Sequence, residues 1–301
     1  MKKFSLLAFL TFAAAFTPIA AKYTVNEINP LELAFLRFGV ATLLLYIVCL
    51  FKKVKFSIEK EDRLRFLFLG FLVIPFNQFV FLTGIKMSGA SHSGILYACT
   101  PLIVYLVSIK LKQEVFDKKK LLFISMTIIG IFVIFYENII HVQKDGGSIL
   151  KGDILLFMAV TSFAVYLAYS KSMIVKYGSL KTQTIAFIIG SVIYLPVFIY
   201  NLPELNFDRL EFWGILGYFH LTFIVAFSSY FLYNYSTKFI PTSTLTTLTN
   251  TSPVFTILLS WILLKESLSY FFILGAIITI FGVLLTQINS KKRPVIPESP
   301  L

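Results

Sequence analysis

The chain has 301 residues, of which 57% are hydrophobic and only 14% charged, and its formal net charge is +12. A water-soluble domain carries about 25% charged residues, so this composition excludes an ordinary soluble globular protein. The positive charge does not indicate nucleic-acid binding, because the basic residues lie in loops between apolar runs and no soluble domain presents a basic face.

Apolar runs near 20 residues long recur along the chain, and a helix of that length crosses the hydrocarbon core with its backbone hydrogen bonds satisfied internally. Glycine and proline mark the joins between the runs. The sequence therefore predicts an all-α polytopic membrane protein with ten transmembrane helices, at residues 3–22, 31–51, 64–84, 88–109, 118–136, 152–171, 181–200, 211–234, 240–263 and 268–288.

The first run, Met1–Ala21, begins with lysines and ends in small residues, as a signal peptide does. We expect a retained first helix instead, because residues 9–22 resemble residues 158–171, which lie far inside the chain. The basic segment Phe51–Arg65, after the second run, has two interpretations. It lies at the membrane interface and contacts anionic lipid, or it is a solvated loop.

The loops differ in charge on the two sides of the predicted membrane. Twenty of the 27 Lys and Arg residues fall on one side and six on the other, while Arg37 lies within a span. Because cytoplasmic loops carry the excess of Lys and Arg, both termini are predicted to be cytoplasmic, in the inner membrane of a cell.

Two stretches of the chain match each other without a gap at an offset of 152 residues. Thr100–Pro101 aligns with Ser252–Pro253, Thr127 with Thr279 and Gly130 with Gly282. We expect one five-helix repeat at 1–140, a second at 150–290, and a disordered cytoplasmic tail at 291–301. Since five is odd, the repeats are predicted to be inverted, with a site where they meet.

These features resemble the drug/metabolite transporter superfamily, specifically its EamA-type family. The resemblance covers nearly the whole chain and depends most on the proline-bearing fourth and ninth spans, each followed by a glutamate-containing turn, Gln113-Glu114 and Lys265-Glu266. The second span, NPLELAFLRF, is similar to that of the family and carries Arg37. The chain departs from the family in its first span, where Ala13-Ala14-Ala15 replaces a frequent Trp-Gly pair.

The resemblance implies a gradient-driven carrier for small metabolites, often an exporter and coupled to protons. A membrane enzyme is the second hypothesis, but it needs clustered His, Asp or Glu, and the three histidines lie far apart in the sequence. A channel or scaffold is the third, although no selectivity signature is visible. We therefore expect a small-molecule substrate and contacts with membrane lipids, no enzymatic activity, no cofactor and no metal.

Polar side chains at membrane depth are costly unless they face a cavity or each other, so they indicate the substrate site. Pro101 and Pro253 are predicted to be paired hinges, because each removes a hydrogen bond from a backbone carbonyl four residues earlier, at Tyr97 and Thr249. The predicted cavity residues are Asn77, Gln78, His92, Tyr97, Thr100, Tyr166, Tyr230, Asn234, Thr249 and Asn250.

Charged residues near the span ends have competing interpretations. Arg37 reaches the outer headgroups by snorkelling, or it balances Glu32 or an anionic substrate. Glu114 and Glu266 are predicted to cap the helices that follow them. No acidic residue falls at mid-span. The stripe Gly275, Thr279 and Gly282 permits close helix contact, within a monomer or across a homodimer.

Overall fold

The computed structural model describes residues 2–113, 116–140, 147–207, 210–232 and 252–290. Over these ranges the chain is helical, without a β-strand. The first part of the bundle contains α1 (Lys2–Glu27), α2 (Pro30–Phe51), α3 (Arg63–Phe71), α4 (Asn77–Met87), α5 (Ala90–Tyr97), α6 (Thr100–Lys110) and α7 (Lys118–Ile140). The second part contains α8 (Ser148–Tyr177), α9 (Ser179–Asn201), α10 (Phe212–Phe219), α11 (Ser252–Leu263) and α12 (Tyr270–Ser290).

Two π-helical segments interrupt this pattern. Leu72–Phe76 joins α3 to α4 and contains Pro75, and His220–Ser229 continues α10. Short 3₁₀ turns occupy Lys60–Asp62 and Leu202–Glu204. π-Helical geometry is rare and concentrates at functional sites, because it displaces backbone carbonyls from the regular ladder.

Local sequence explains where several helices begin and end. The Asn29 side chain accepts a hydrogen bond from the Leu31 amide at 3.1 Å, and Pro30 opens α2 with its fixed φ. Gly147 and Gly178, with φ of 75° and 80°, stand at the two ends of α8. Glycine adopts this left-handed conformation without steric cost, so α8 is cleanly separated from its neighbours.

Seven helical stretches in the described ranges are long and apolar enough to cross a membrane, and three shorter apolar helices accompany them. The seven are Ala8–Glu27, Pro30–Phe51, Lys60–Met87, Ala90–Lys110, Ser148–Tyr177, Ser179–Glu204 and Phe212–Leu232. The shorter ones, Ser125–Ile134, Ser252–Leu263 and Tyr270–Gly282, fall within the fifth, ninth and tenth predicted spans. The prediction of an all-helical, multi-pass membrane protein is confirmed. The predicted tail at 291–301 lies outside the described residues.

The fourth predicted span is broken in its middle. α5 ends at Tyr97 and α6 begins at Thr100, immediately before Pro101. The Thr100 hydroxyl donates a hydrogen bond to the Tyr97 carbonyl at 2.7 Å. Pro101 has no N–H to donate to this carbonyl, so the Thr100 hydroxyl supplies the hydrogen bond that the helix break removes.

Helices α7 and α12 pack against each other through small residues. A Cβ atom added to Gly130 would clash with Thr279 and Gly275, and one added to Gly282 would clash with Thr127. Position 127 precedes 130 while its contact 282 follows 279, so the two helices run antiparallel. The stripe Gly275, Thr279 and Gly282 is therefore used for packing within the chain.

A second close approach joins α4 to α8. A Cβ atom on Gly84 would lie 2.9 Å from the Gly152 carbonyl oxygen, and one on Gly152 would lie 2.9 Å from the Gly84 carbonyl oxygen. Only glycine at both positions lets the two backbones come this near. The contact places Ser88 beside the beginning of α8.

Candidate substrate-binding site

Arg37 lies on α2 with only 3% of its surface exposed. Its Nε donates to the Leu221 carbonyl oxygen and its Nη1 donates to Gln78 Oε1, each at 3.0 Å. Leu221 belongs to the second π-helical segment. The snorkelling interpretation of Arg37 is therefore wrong, because its guanidinium turns into the bundle, where a carbonyl and an amide accept its hydrogen bonds.

A chain of buried amides continues from Arg37. Gln78 Nε2 donates to Asn77 Oδ1 at 2.7 Å, and Asn77 Nδ2 donates to the Ala159 carbonyl oxygen at 2.7 Å. Asn77 and Gln78 are each 3% exposed, and they follow directly on the π-helical segment that contains Pro75. The chain links α2, α4 and α8, and each amide orients the next one.

Aromatic rings surround this polar chain. The Tyr230 ring lies edge-on to Phe187, Phe163 and Phe38, at centroid distances of 5.6, 6.3 and 6.5 Å. The Phe163 ring also lies 6.5 Å from that of Tyr166, to which it is nearly parallel. Three helices, α2, α8 and α9, and Tyr230, the residue that follows the π-helical segment, therefore supply one aromatic cluster.

Tyr97 joins the cluster from the broken fourth span. Its ring lies 5.7 Å from Phe81 and 6.2 Å from Phe163, and its side chain is next to that of Asn77. The Arg37 guanidinium lies 5.0 Å from the Phe38 ring centre and within electrostatic range of Tyr97 and Tyr230. Tyr97 and Tyr230 remain partly exposed, although their rings are surrounded by other side chains.

The predicted cavity residues thus separate into groups. Asn77, Gln78, Tyr97 and Tyr230 lie around Arg37, and Tyr166 joins them through the Phe163 ring. Thr100 instead binds the backbone at the helix break. Pro101 is the second residue of α6, and Pro253 is the second residue of α11. The remaining predicted residues, Asn234, Thr249 and Asn250, lie outside the described residues, as does Glu114.

Glu32 is not a partner of Arg37. It is 1% exposed, yet its Oε1 accepts no hydrogen bond, and no ion pair joins it to the guanidinium. Within the described ranges, no carboxylate forms an ion pair with Arg37. The Arg37 guanidinium therefore has only neutral hydrogen-bond acceptors, the Leu221 carbonyl and the Gln78 amide, among the described residues.

His92, a predicted cavity residue, contacts a buried acid instead of the residues around Arg37. Its Nδ1 is 3.0 Å from both carboxylate oxygens of Asp153, and the Ser88 hydroxyl donates to Asp153 Oδ1 at 2.5 Å. Asp153 is fully buried in the first turns of α8. The sequence placed Asp153 at the edge of a predicted span, but α8 begins five residues earlier, at Ser148.

Glu266 caps a helix, but not the one that follows it. Its carboxylate accepts hydrogen bonds from the amides of Ala90 and Ser91, at 2.8 and 3.0 Å, and from the Ser91 hydroxyl at 2.6 Å. These groups open α5, and a carboxylate is stabilised at a helix N-terminus. The predicted capping of α12 by Glu266 is therefore wrong. Ser269 instead accepts from the Phe272 amide at 2.9 Å.

Lys22 completes this end of the bundle. Its ammonium donates to the carbonyl oxygens of Ile85 and Ser88, both at 2.9 Å, at the end of α4. We call the end that holds Lys22, Ser88, Asp153 and Glu266 the Glu266 end.

The opposite end, which holds Glu59, Asp62, Lys176 and Lys181, is the Lys176 end. There Lys176 Nζ and the Tyr177 hydroxyl donate to Asp62 Oδ2, each at 2.7 Å, and Lys181 Nζ donates to the Ser57 carbonyl oxygen at 2.6 Å. The segment Phe51–Arg65 is tied to α8 and α9 by these bonds. Its contact with lipid stays a prediction.

Comparison with known proteins places this geometry in a family. The model of the EamA-like transporter family matches residues 2–136 and again residues 150–288. Two Bacillus subtilis proteins, the uncharacterized transporters YyaM and YetK, are each 25% identical to the chain over 97% of it, and over 97% and 90% of their own lengths. An uncharacterized transporter of Archaeoglobus fulgidus is 26% identical over 77% of the chain and 78% of its own length.

A crystal structure with the same fold has a TM-score of 0.64 and covers 95% of this chain and 98% of its own, at 14% sequence identity. At that identity it supports the fold alone, whereas the family model covers both halves of the sequence. The chain therefore belongs to the EamA-like transporter family, within the drug/metabolite transporter superfamily.

Proposed function

We propose that the protein is a secondary carrier that moves a small polar or aromatic metabolite across the cytoplasmic membrane by alternating access, in the direction of export. The observation that carries the proposal is the buried chain Arg37–Gln78–Asn77 of the first half, which is surrounded by aromatic rings and hydrogen-bonded to the Leu221 and Ala159 carbonyl oxygens of the second half. Polar groups at this depth are retained where they serve a substrate pathway.

The reciprocal contact of α7 with α12 supports two inverted repeats. Gly130 contacts Thr279, and the residues 152 positions away, Gly282 and Thr127, contact each other in the antiparallel sense. Two halves related by a two-fold axis in the membrane plane are expected to make equivalent contacts of this kind, in which each residue and its counterpart exchange places. We propose ten spans with both termini in the cytoplasm, which the Lys and Arg distribution supports.

The family and the transporter relatives favour a carrier over a membrane enzyme or a channel. Function should therefore be tested first by uptake of a panel of labelled metabolites into proteoliposomes. An imposed proton gradient, compared with its dissipation by an ionophore, tests the driving force that the family resemblance implies. Cysteine labelling of the two termini from either side tests their common cytoplasmic location.

Variants of the cluster residues test the site, with a control variant on the same helix as Tyr166. Asn77→Ala, Tyr97→Phe and Tyr166→Phe should each reduce transport by about tenfold or more, because each removes a polar group from the buried cluster. Tyr169→Phe, three residues from Tyr166 on the exposed side of α8, is the matched control and should transport normally. If the three cavity variants transport at the wild-type rate in equal amounts of protein, the site lies elsewhere.

A further inference from the structure

We propose that the substrate is a small monocarboxylate with a planar, aromatic body, and that Arg37 binds its carboxylate. This inference rests on the proposed function, because it assigns a substrate class to the same site. It follows from three features of the cluster: the charge of Arg37, the hydrogen bonds that Arg37 leaves unused, and the rings that surround it.

The charge is the first feature. Arg37 is 3% exposed, and within the described ranges no carboxylate pairs with it. A buried cation without a counter-charge costs several kcal/mol, so proteins normally pair it or turn it towards water. A site that keeps such a cation unpaired gains the missing electrostatic energy when an anionic ligand enters.

The partners that Arg37 does have fix its orientation without cancelling its charge. The Leu221 carbonyl and Gln78 Oε1 are neutral acceptors, and they take one N–H from Nε and one from Nη1. Nη2 donates no hydrogen bond to a described residue. Because guanidinium has five N–H groups in a planar fork, two on Nη2 and one on Nη1 are left to bind a carboxylate.

The number of charges limits the anion. Phosphate esters and dicarboxylates carry about two negative charges at neutral pH, and their sites therefore gather several cationic groups. Arg37 is the one cation that the described part of this cluster contains. The single positive charge of Arg37 is therefore balanced by a ligand with one negative charge.

The surrounding rings select the remainder of the ligand. The Phe38 ring lies 5.0 Å from the guanidinium, Tyr97 and Tyr230 lie within electrostatic range of it, and both tyrosines keep part of their surface open. Edge-to-face contact with these rings favours a planar, apolar body over a flexible polyol.

A matched ligand series tests the charge requirement in the wild-type protein. Isothermal titration calorimetry of the purified full chain would compare 3-phenylpropionate, L-phenylalanine, 3-phenylpropan-1-ol and phenethylamine. These ligands share a phenyl group and differ mainly in charge. We expect a ligand with a carboxylate to bind at least about tenfold more tightly than the alcohol and the amine.

Variants of one residue then test where the carboxylate binds. Arg37→Gln should weaken binding of the carboxylate by at least about tenfold and leave binding of the alcohol unchanged. Arg37→Lys keeps the charge but loses the planar fork, so it should fall between wild type and Arg37→Gln. Arg65→Gln, whose side chain is 64% exposed, is the matched control and should bind as wild type does.

Several results would overturn the proposal. They are equal affinity for all four ligands, tightest binding of phenethylamine, or no binding of either carboxylate at about 10 mM. If Arg37→Gln does not fold, the wild-type series still decides. If the wild type transports only uncharged or cationic compounds, and Tyr97→Phe reduces that transport, then the protein is a carrier that uses this site but its substrate is not a carboxylate. Transport unaffected by the cavity variants would reject the site itself.

Discussion

The two ends of the bundle hold its halves together by different kinds of contact. At the Glu266 end, charged side chains bind backbone groups and buried partners, and Asp153 has no exposed surface. At the Lys176 end, the ion pairs are more open, with side-chain exposures of 39% for Lys176 and 59% for Glu59. Both sets of contacts connect the first half of the chain to the second.

This difference bears on which end separates more easily. Removing one partner from a buried ionic network is costly, whereas an exposed ion pair contributes about 0–1 kcal/mol. Among the described residues, the contacts between the halves are therefore stronger at the Glu266 end than at the Lys176 end. Substitutions at the Glu266 end should therefore destabilise the protein more than substitutions at the Lys176 end.

Asp153→Ala should have the largest effect, a loss of about 3 kcal/mol in the free energy of unfolding. The change removes the acceptor that serves both Ser88 and His92 in a buried position. Unfolding in mixed detergent micelles measures it, and a double-mutant cycle with Ser88→Ala isolates the shared hydrogen bond. A loss below about 1 kcal/mol would show that this network does not hold the end closed.

Glu266→Ala should cost about 1–2 kcal/mol, because the amides of Ala90 and Ser91 lose their cap. Glu266→Gln keeps one acceptor oxygen and should recover part of the loss. The same unfolding assay measures both variants. An alanine variant as stable as wild type would indicate that water replaces the carboxylate without cost.

The Glu266→Ala variant also has a conformational readout in the native cysteines. Cys99 is 2% exposed and lies at the break between α5 and α6, whereas Cys49 is buried next to Thr184 on α9. Weakening the Glu266 end by about 1 kcal/mol should speed thiol labelling of Cys99 by about fivefold, while labelling of Cys49 stays slow. Equal acceleration of both thiols would indicate general loosening instead.

Lys176→Ala should have the smallest effect, about 1 kcal/mol, because Lys176 and Glu59 are partly solvated and the buried Asp62 carboxylate keeps the Tyr177 hydroxyl as a donor. The wild-type contribution should also shrink in high salt, which screens exposed charges. Stability measured at low and high salt would check both statements. A cost larger than that of Glu266→Ala would reverse the ranking of the two ends.

Much of the architecture follows from local patterns in the sequence. Apolar runs set the membrane helices, and polar residues inside those runs identified Asn77, Gln78, Tyr97, Tyr166 and Tyr230, which the fold brings together. Periodicity and hydropathy depend only on residues that are close in the sequence, so they can be evaluated without knowing how the helices pack. Pro101 likewise marked the helix break, and the freed Tyr97 carbonyl was identified from its position alone.

The missed features depend on contacts between distant parts of the chain. Glu266 binds amides 175 and 176 residues away, and Asp153 binds His92 across 61 residues. Their partners cannot be inferred from spacing. Arg37 was ambiguous for the same reason, because the Leu221 carbonyl that draws it inward belongs to a π-helical segment that no sequence pattern indicated.

The paired glycine and threonine contacts between α7 and α12 have a mechanical consequence. In the alternating-access cycle proposed above, exchange of the two halves would convert the Gly130–Thr279 contact into the Gly282–Thr127 contact and back again. The interface would then be the same before and after the exchange, and these helices would stay in contact while opposite sides of the protein opened in turn. A carrier that works in this way would keep a fixed pivot through its cycle and confine rearrangement to its two ends.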